Sequence, residues 1–165
     1  MKKCVFAGTF DPFTLGHEKI VEKALLYYDK VYVVIGVNPE KKPFFSVEER
    51  LGFIRVCFKN DDRVEVDFNS GFTVDFLREN GVTDYVRGIR NDADVKYEKA
   101  DEELNRKLYP ELNYVYIRCG KDSENVSSTL VKEKLYKGES VSGLLPEKSE
   151  KLVINAFNDK IKNLK

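Results

Sequence analysis

Residues 4–35 read CVFAGTFDPFTLGHEKIVEKALLYYDKVYVVI, and the fold follows from that stretch. Cys4-Val5-Phe6-Ala7 is a short apolar run, and Val31-Tyr32-Val33-Val34-Ile35 is a second. Runs of this length bounded by Gly, Asn, Asp or Pro have the signature of buried strands. Between them Ile20, Val21, Ala24, Leu25 and Tyr28 fall on one face at helical spacing. The chain therefore opens with a strand, a glycine-bounded loop, a helix and another strand.

The same alternation continues outward. Val64 to Phe68 alternates, Tyr85-Val86 is brief, and Tyr114 to Ile117 closes the strands. Ser46-Val47-Glu48-Glu49 has capping-box spacing and opens an apolar stripe of Val47, Leu51, Ile54 and Phe58. Thr73 to Asn80 reads as a short helix ended by Gly81, and Tyr97, Ala100, Leu104 and Leu108 mark another stopped before Pro110. Ser128 to Lys137 and Pro146 to about Phe157 supply the last two helices. Near-continuous apolar strands alternating with helices predict an α/β fold: a Rossmann-like, doubly wound, five-stranded parallel sheet with helices on both faces. No repeat or linker divides the sequence, so residues 1–165 are expected to form a single domain, with about 158–165 a polar, frayed tail.

Composition narrows the function classes. At 165 residues the chain suits one domain with a self-sufficient core. Twenty-eight basic residues balance 28 acidic ones, and no basic segment stands out, which argues against nucleic acid as a partner. No apolar run approaches the roughly 20 residues of a spanning helix, so neither a secretory signal nor a membrane anchor is expected. Cys4, Cys57 and Cys119 lie far apart without a C-x-x-C pair, reading as idle or buried thiols in a reducing cytoplasm rather than a zinc site or disulfide framework.

Ligands of such sheets bind beyond the carboxyl ends of the strands, at the switch point in strand order. The loop after the first strand, Gly8 to His17, has two glycines that admit a ligand to the backbone, and a helix start that offers free N–H groups. His17, the only histidine, falls in that first turn; taken alone it reads first as an ordinary loop histidine with little share in the core. Lys41-Lys42 between prolines follows the second strand, and Gly71-Phe72-Thr73 the third. Arg87-Gly88-Ile89-Arg90 follows the fourth directly, with two guanidinium forks suited to phosphate oxygens. Ser127-Ser128-Thr129 opens the helix after the fifth, as an N-cap or as a phosphate seat. Together, on one sheet edge, this inventory suits a polyanion whose phosphoryl group is transferred by positioning and charge stabilisation, with Asp11 the only carboxylate in the first loop.

Gly8-Thr9-Phe10-Asp11-Pro12 with Thr14-Leu15-Gly16-His17 resembles the T/H-x-G-H signature of the nucleotidyltransferase superfamily. Lys41-Lys42-Pro43 with Phe45, Glu48-Glu49-Arg50, Arg87-Gly88-Ile89-Arg90, Asp94 with Tyr97-Glu98, Asn105-Arg106, Pro110-Glu111-Leu112 and Ser127 to Glu133 resemble, more narrowly, bacterial phosphopantetheine adenylyltransferases. The resemblance spans about residues 3–147. It implies transfer of the adenylyl group of ATP to 4′-phosphopantetheine, giving dephospho-coenzyme A and pyrophosphate. By the same resemblance His17, Lys41 and Arg90 are catalytic. Thr9, Lys41, Thr73 and Arg87 hold phosphopantetheine. Thr9, Phe10, His17, Gly88, Ile89, Arg90, Glu98 and the segment Ser123, Glu124, Asn125, Val126, Ser127, Ser128 and Thr129 face ATP. Magnesium is implied only through the ATP phosphates, with no metal bound by the protein itself. Coenzyme A is implied as a related ligand, and a homo-oligomer, commonly a hexamer, as the assembly.

Two departures from the family pattern stand out. Cys119 takes the place of a proline and Ser123 that of an aromatic, which predicts weaker ATP binding, restored by an aromatic at position 123. The alternatives are an adenylyl- or cytidylyltransferase for another phosphorylated acceptor, whose members usually carry histidine where Thr14 stands, and a non-catalytic nucleotide- or coenzyme-A-binding module.

Overall fold

The computed structural model describes residues 1–164. Five strands form one parallel sheet in the order β3-β2-β1-β4-β5: β1 (Lys3–Gly8), β2 (Lys30–Gly36), β3 (Val64–Asn69), β4 (Asp84–Ile89) and β5 (Asn113–Arg118). The order reverses between β1 and β4, as the alternation of the sequence predicts for a doubly wound sheet. Successive side chains of a strand point to opposite faces. Accordingly Cys4 and Phe6 of β1, with Val31, Val33 and Ile35 of β2, pack beneath α1 (Leu15–Ala24) and α2 (Val47–Phe58). Val5 and Ala7, with Tyr32 and Val34, pack on the other face with Val74, Phe76 and Leu77 of α3 (Thr73–Glu79). A third cluster joins Phe45 and Phe53 to Val131 of α5 (Ser128–Tyr136) and to Val153 and Phe157 of α6 (Glu150–Asn163).

Four local expectations change. The fourth strand runs on through Arg87, Gly88 and Ile89, which pair with Tyr116, Ile117 and Arg118 of β5. Arg87 to Ile89 is therefore strand, and only Arg90 follows it, because the partner strand supplies a pairing that the Arg-Gly composition does not advertise. The last helix extends to Asn163, so residues 158–163 are helical rather than frayed, and Lys160 pairs with Glu49 at 3.0 Å. A one-turn 3-10 helix, Lys121–Ser123, was not legible in the sequence. Finally, the helix α4 (Asp92–Leu108) buries none of its side chains, and its stripe of Tyr97, Leu104 and Leu108 faces solvent.

β1 and β4 pair only at Cys4–Asp84, Val5–Tyr85 and Phe6–Val86, then diverge, which opens a crevice at their carboxyl ends. Two glycines are dictated there by close approach. A Cβ on Gly8 would meet the Phe10 ring at 2.9 Å, and one on Gly88 would meet Ile20 at 3.1 Å.

Candidate active site

The crevice is a cavity of about 460 Å³ between the first loop, the end of β4, the first half of α4 and the start of α5. Thr9, Phe10, His17, Arg87, Gly88, Ile89, Arg90 and Glu98 line it, together with Ser123, Val126, Ser127 and Ser128. Thr9 also belongs to two neighbouring hollows: one of about 400 Å³ with Lys41, and one of about 610 Å³ with Thr73 and Arg87. The residues assigned to two different ligands thus meet at Thr9. Glu124 and Asn125 are exposed and outside this wall, and Thr129 faces a separate hollow beside Lys132. Those three positions are not brought to the cavity.

His17 is far from being a loop side chain. Thr14 caps α1 by accepting from the His17 backbone N–H, and the His17 Nδ1 in return accepts from the Thr14 N–H at 2.9 Å. This is a capping box with histidine where glutamate or glutamine usually stands. The ring packs against Phe10 at 4.9 Å, Phe13 at 5.4 Å and Phe6 at 6.2 Å between centroids. Burial first, and the positive charge of Arg90 second, push its pKa down from 6.5 to about 4. The imidazole is therefore neutral near pH 7. With Nδ1 committed as an acceptor, its proton is carried on Nε2.

Neither arginine of the pair is a free clamp. Arg87 donates from Nε and Nη2 to both carboxylate oxygens of Glu98, at 2.8 and 2.9 Å, and from Nη1 to the Tyr85 hydroxyl at 2.7 Å. Burial works against its charge, but Tyr85 and Glu98 more than offset that and hold it protonated. Arg90 donates to Asp94 from its backbone at 2.8 Å and from Nε at 3.4 Å. Asp94 and Glu98 lie one turn apart on α4, so a single helix face presents a carboxylate to each arginine. The same face continues through Asp101 and Asn105, which meet the Tyr114 hydroxyl at 3.2 and 2.7 Å, and Glu102, which accepts from Tyr116 at 2.6 Å. Glu98 is expected on the ribose side by resemblance; its carboxylate is bound to Arg87.

The segment between β5 and α5 departs from expectation most. Ser123 is fully buried, its Oγ lacks a hydrogen-bond partner, and its Cβ lies 3.9 Å from where a Cβ on Gly16 would stand. Ser123 is buried within the cavity wall rather than exposed on it, so an aromatic there would have to displace its neighbours before it could stack on a nucleotide. Cys119 is buried on the cavity wall. Cys4 and Cys57 are buried thiols as well.

Two polar residues at the site went unassigned from sequence. Lys132 lines the cavity and its Nζ lies 3.2 Å from Asp11. Its signal was available: it follows Ser127-Ser128-Thr129 at a spacing that returns it to the same helix face. Arg50, 2% exposed, donates to the carbonyls of Thr9 at 2.8 Å and Phe45 at 3.0 Å. Nothing in its helical pattern set it apart from a surface charge.

The cytidylyltransferase-like family pattern matches residues 5–134 of the chain. A phosphopantetheine adenylyltransferase of Anaeromyxobacter sp. (strain K) is 39% identical over 145 residues, 88% of each chain. That of Thermotoga neapolitana is 40% identical over 159 residues, 96% of each. The chain belongs to the phosphopantetheine adenylyltransferase family. The architecture extends beyond it: a bifunctional NMN adenylyltransferase/ADP ribose pyrophosphatase of Francisella tularensis superposes with a TM-score of 0.72 at 24% identity, over 98% of this chain and 50% of that one. At that identity the likeness concerns fold alone. For a phosphopantetheine adenylyltransferase family member, the crevice between β1 and β4 is where nucleotide chemistry is to be sought.

Proposed function

We propose that the chain transfers the adenylyl group of ATP to the phosphate of 4′-phosphopantetheine, releasing pyrophosphate and giving dephospho-coenzyme A in coenzyme A biosynthesis. The observation that carries this reading is the meeting of three hollows at Thr9, ringed by His17, Arg87 and Arg90. Two anions must be held together for an acceptor phosphate oxygen to attack the α-phosphorus as its bond to the pyrophosphate oxygen breaks. In this reading Thr9 contacts the attacking phosphate and Lys41 with Arg87 neutralises it, while Thr73 borders the pantetheine arm. The neutral His17 donates Nε2–H toward the oxygens on which charge grows, and Arg90 faces the leaving pyrophosphate. Phe10, Gly88, Ile89 and Val126 with Ser127 and Ser128 form the walls around the nucleotide.

Magnesium enters this proposal with ATP. The cavity carboxylates Asp11, Asp94 and Glu98 are each tied to a protein cation, so the ion would be held through phosphates and water. Among the described residues no helix is long and apolar enough to cross a membrane, and a cytoplasmic location accords with the reaction. A homo-oligomer, a hexamer by family resemblance, is supported by the exposed Tyr97, Leu104 and Leu108 of α4. The test is pyrophosphate release from ATP with and without 4′-phosphopantetheine. Release only with that acceptor is expected. Release with nicotinate mononucleotide or glycerol phosphate instead points to another acceptor, and nucleotide binding with no release points to a non-catalytic module.

A further inference from the structure

We propose that Asp11 is a positioning residue, which sets the lysine loop of residues 38–45 against the Thr9 wall so that Lys41 reaches the reacting phosphate. The inference rests on the adenylyl-transfer reading. Asp11 is 6% exposed, and both of its oxygens are used. Oδ1 accepts from the Phe45 N–H at 2.9 Å and Oδ2 from the Phe44 N–H at 2.8 Å and the Lys132 Nζ at 3.2 Å. A carboxylate suits this place, since two convergent backbone donors and a cation require acceptors on both oxygens. Asparagine would turn an NH2 group toward one of them.

What Asp11 holds is the backbone at the downstream end of the loop, where the Phe45 ring is already seated in the third cluster; the lysine stretch before it has few bonds of its own. Upstream, Val37 donates to the Asn69 carbonyl at 2.8 Å. Between the ends, Glu40 and Lys41 bond only to Asn38, at 2.9 and 3.0 Å, and Lys41 and Lys42 are exposed. Arg50 adds the opposite polarity by bridging the Thr9 and Phe45 carbonyls. Asp11 and Arg50 thus lock the first loop to the lysine loop, and the hollow that Thr9 shares with Lys41 is bounded by Phe44, Phe45 and Arg50. Asp11 touches no reacting atom in this scheme; it acts through Lys41.

The experiment compares D11N, K41A and D11N/K41A by pyrophosphate release, with the ATP dissociation constant from calorimetry and a melting curve for each. D11N is expected to lower kcat/KM for 4′-phosphopantetheine by up to about 10²-fold, the scale of a displaced catalytic group, with ATP affinity kept within about threefold. The double variant should be no slower than K41A, because the two act as one unit. Losses that multiply, or a D11N enzyme with unchanged acceptor kinetics, would overturn the proposal. So would a K41A variant with wild-type kinetics, whereas a wild-type protein that releases no pyrophosphate refutes the reaction itself. Should D11N fail to fold, amide exchange of the wild-type protein decides. Phe44 and Phe45 must exchange as slowly as the amides of α2, and fast exchange at both overturns the clamp.

Discussion

In the proposed reading His17 joins structure and chemistry in one ring, and the two are separable by substitution. His17→Ala leaves the Thr14 cap but removes the ring's half of the capping box, a hydrogen bond worth about 0.5–1.5 kcal/mol, and opens space among three phenyl rings, so it should lower the melting temperature visibly. This departs from the expectation of a dispensable loop side chain. The same change should cut kcat by roughly 10²–10³-fold, as for other lost donors to a developing charge. His17→Gln keeps an acceptor able to reach the Thr14 N–H, so it should recover most of the stability and little of the rate. A glutamine variant as fast as wild type would remove His17 from the chemistry. The lowered pKa gives a second test. As pH falls from 6.5 toward 4, the unfolded chain takes up a proton that the native ring refuses, so the native state loses stability across that window. Melting curves of wild type should decline there more steeply than those of His17→Gln, while above about pH 7 the two run parallel.

At the scale of elements, the segment from Lys121 to Val126 and the helix α4 decide what the ligands meet. Ser123→Trp forces an indole into a filled space beside Gly16 and should destabilise the fold by about 1–3 kcal/mol, the usual range for overpacking. A tryptophan variant that melts normally and binds ATP more tightly would show that the wall yields to seat the ring against the nucleotide. Arg87→Ala should weaken acceptor binding by about 1.5–3 kcal/mol, part of it because the Glu98 carboxylate is left unpaired where a phosphate must sit. Calorimetry should therefore show Arg87→Ala/Glu98→Gln binding phosphopantetheine better than Arg87→Ala alone. Equal affinities would mean that Glu98 swings clear. These pairings also mark the limit of what the chain discloses as text. Strands and helices were readable because their periods of 2 and 3.6 lie within ten residues, and the site loops followed from the topology. Arg87 and Glu98, 11 residues apart on a strand and a helix, meet only once that helix docks, and Asp11 and Lys132 are 121 residues apart. The capping box at Thr14 was half legible, since histidine at its third position is not the residue that the pattern names.

The whole molecule packs its helices by two different kinds of force. α1, α2 and α3 bury apolar side chains against the sheet, whereas α4 turns carboxylates and an amide inward and leaves Tyr97, Leu104 and Leu108 outward. Asp92 adds a bond to Arg118 at its first turn. Burial of apolar surface is insensitive to dissolved electrolyte at moderate concentration, but exposed charge pairs are screened over a Debye length that shrinks from about 10 Å at 0.1 M to about 3 Å at 1 M. One wall of the candidate site is thus tethered in part by the exposed pairs Arg90–Asp94 and Arg118–Asp92, which counterions weaken, while the more sheltered Arg87–Glu98 pair is screened less. Raising sodium chloride from 0.1 to 1 M should accelerate amide exchange in α4 while α1 and α2 stay protected, and a uniform response of all three would contradict this. In the adenylyl-transfer reading the substrates are themselves polyanions, so loading the crevice is an exchange of ion partners as much as a filling of space.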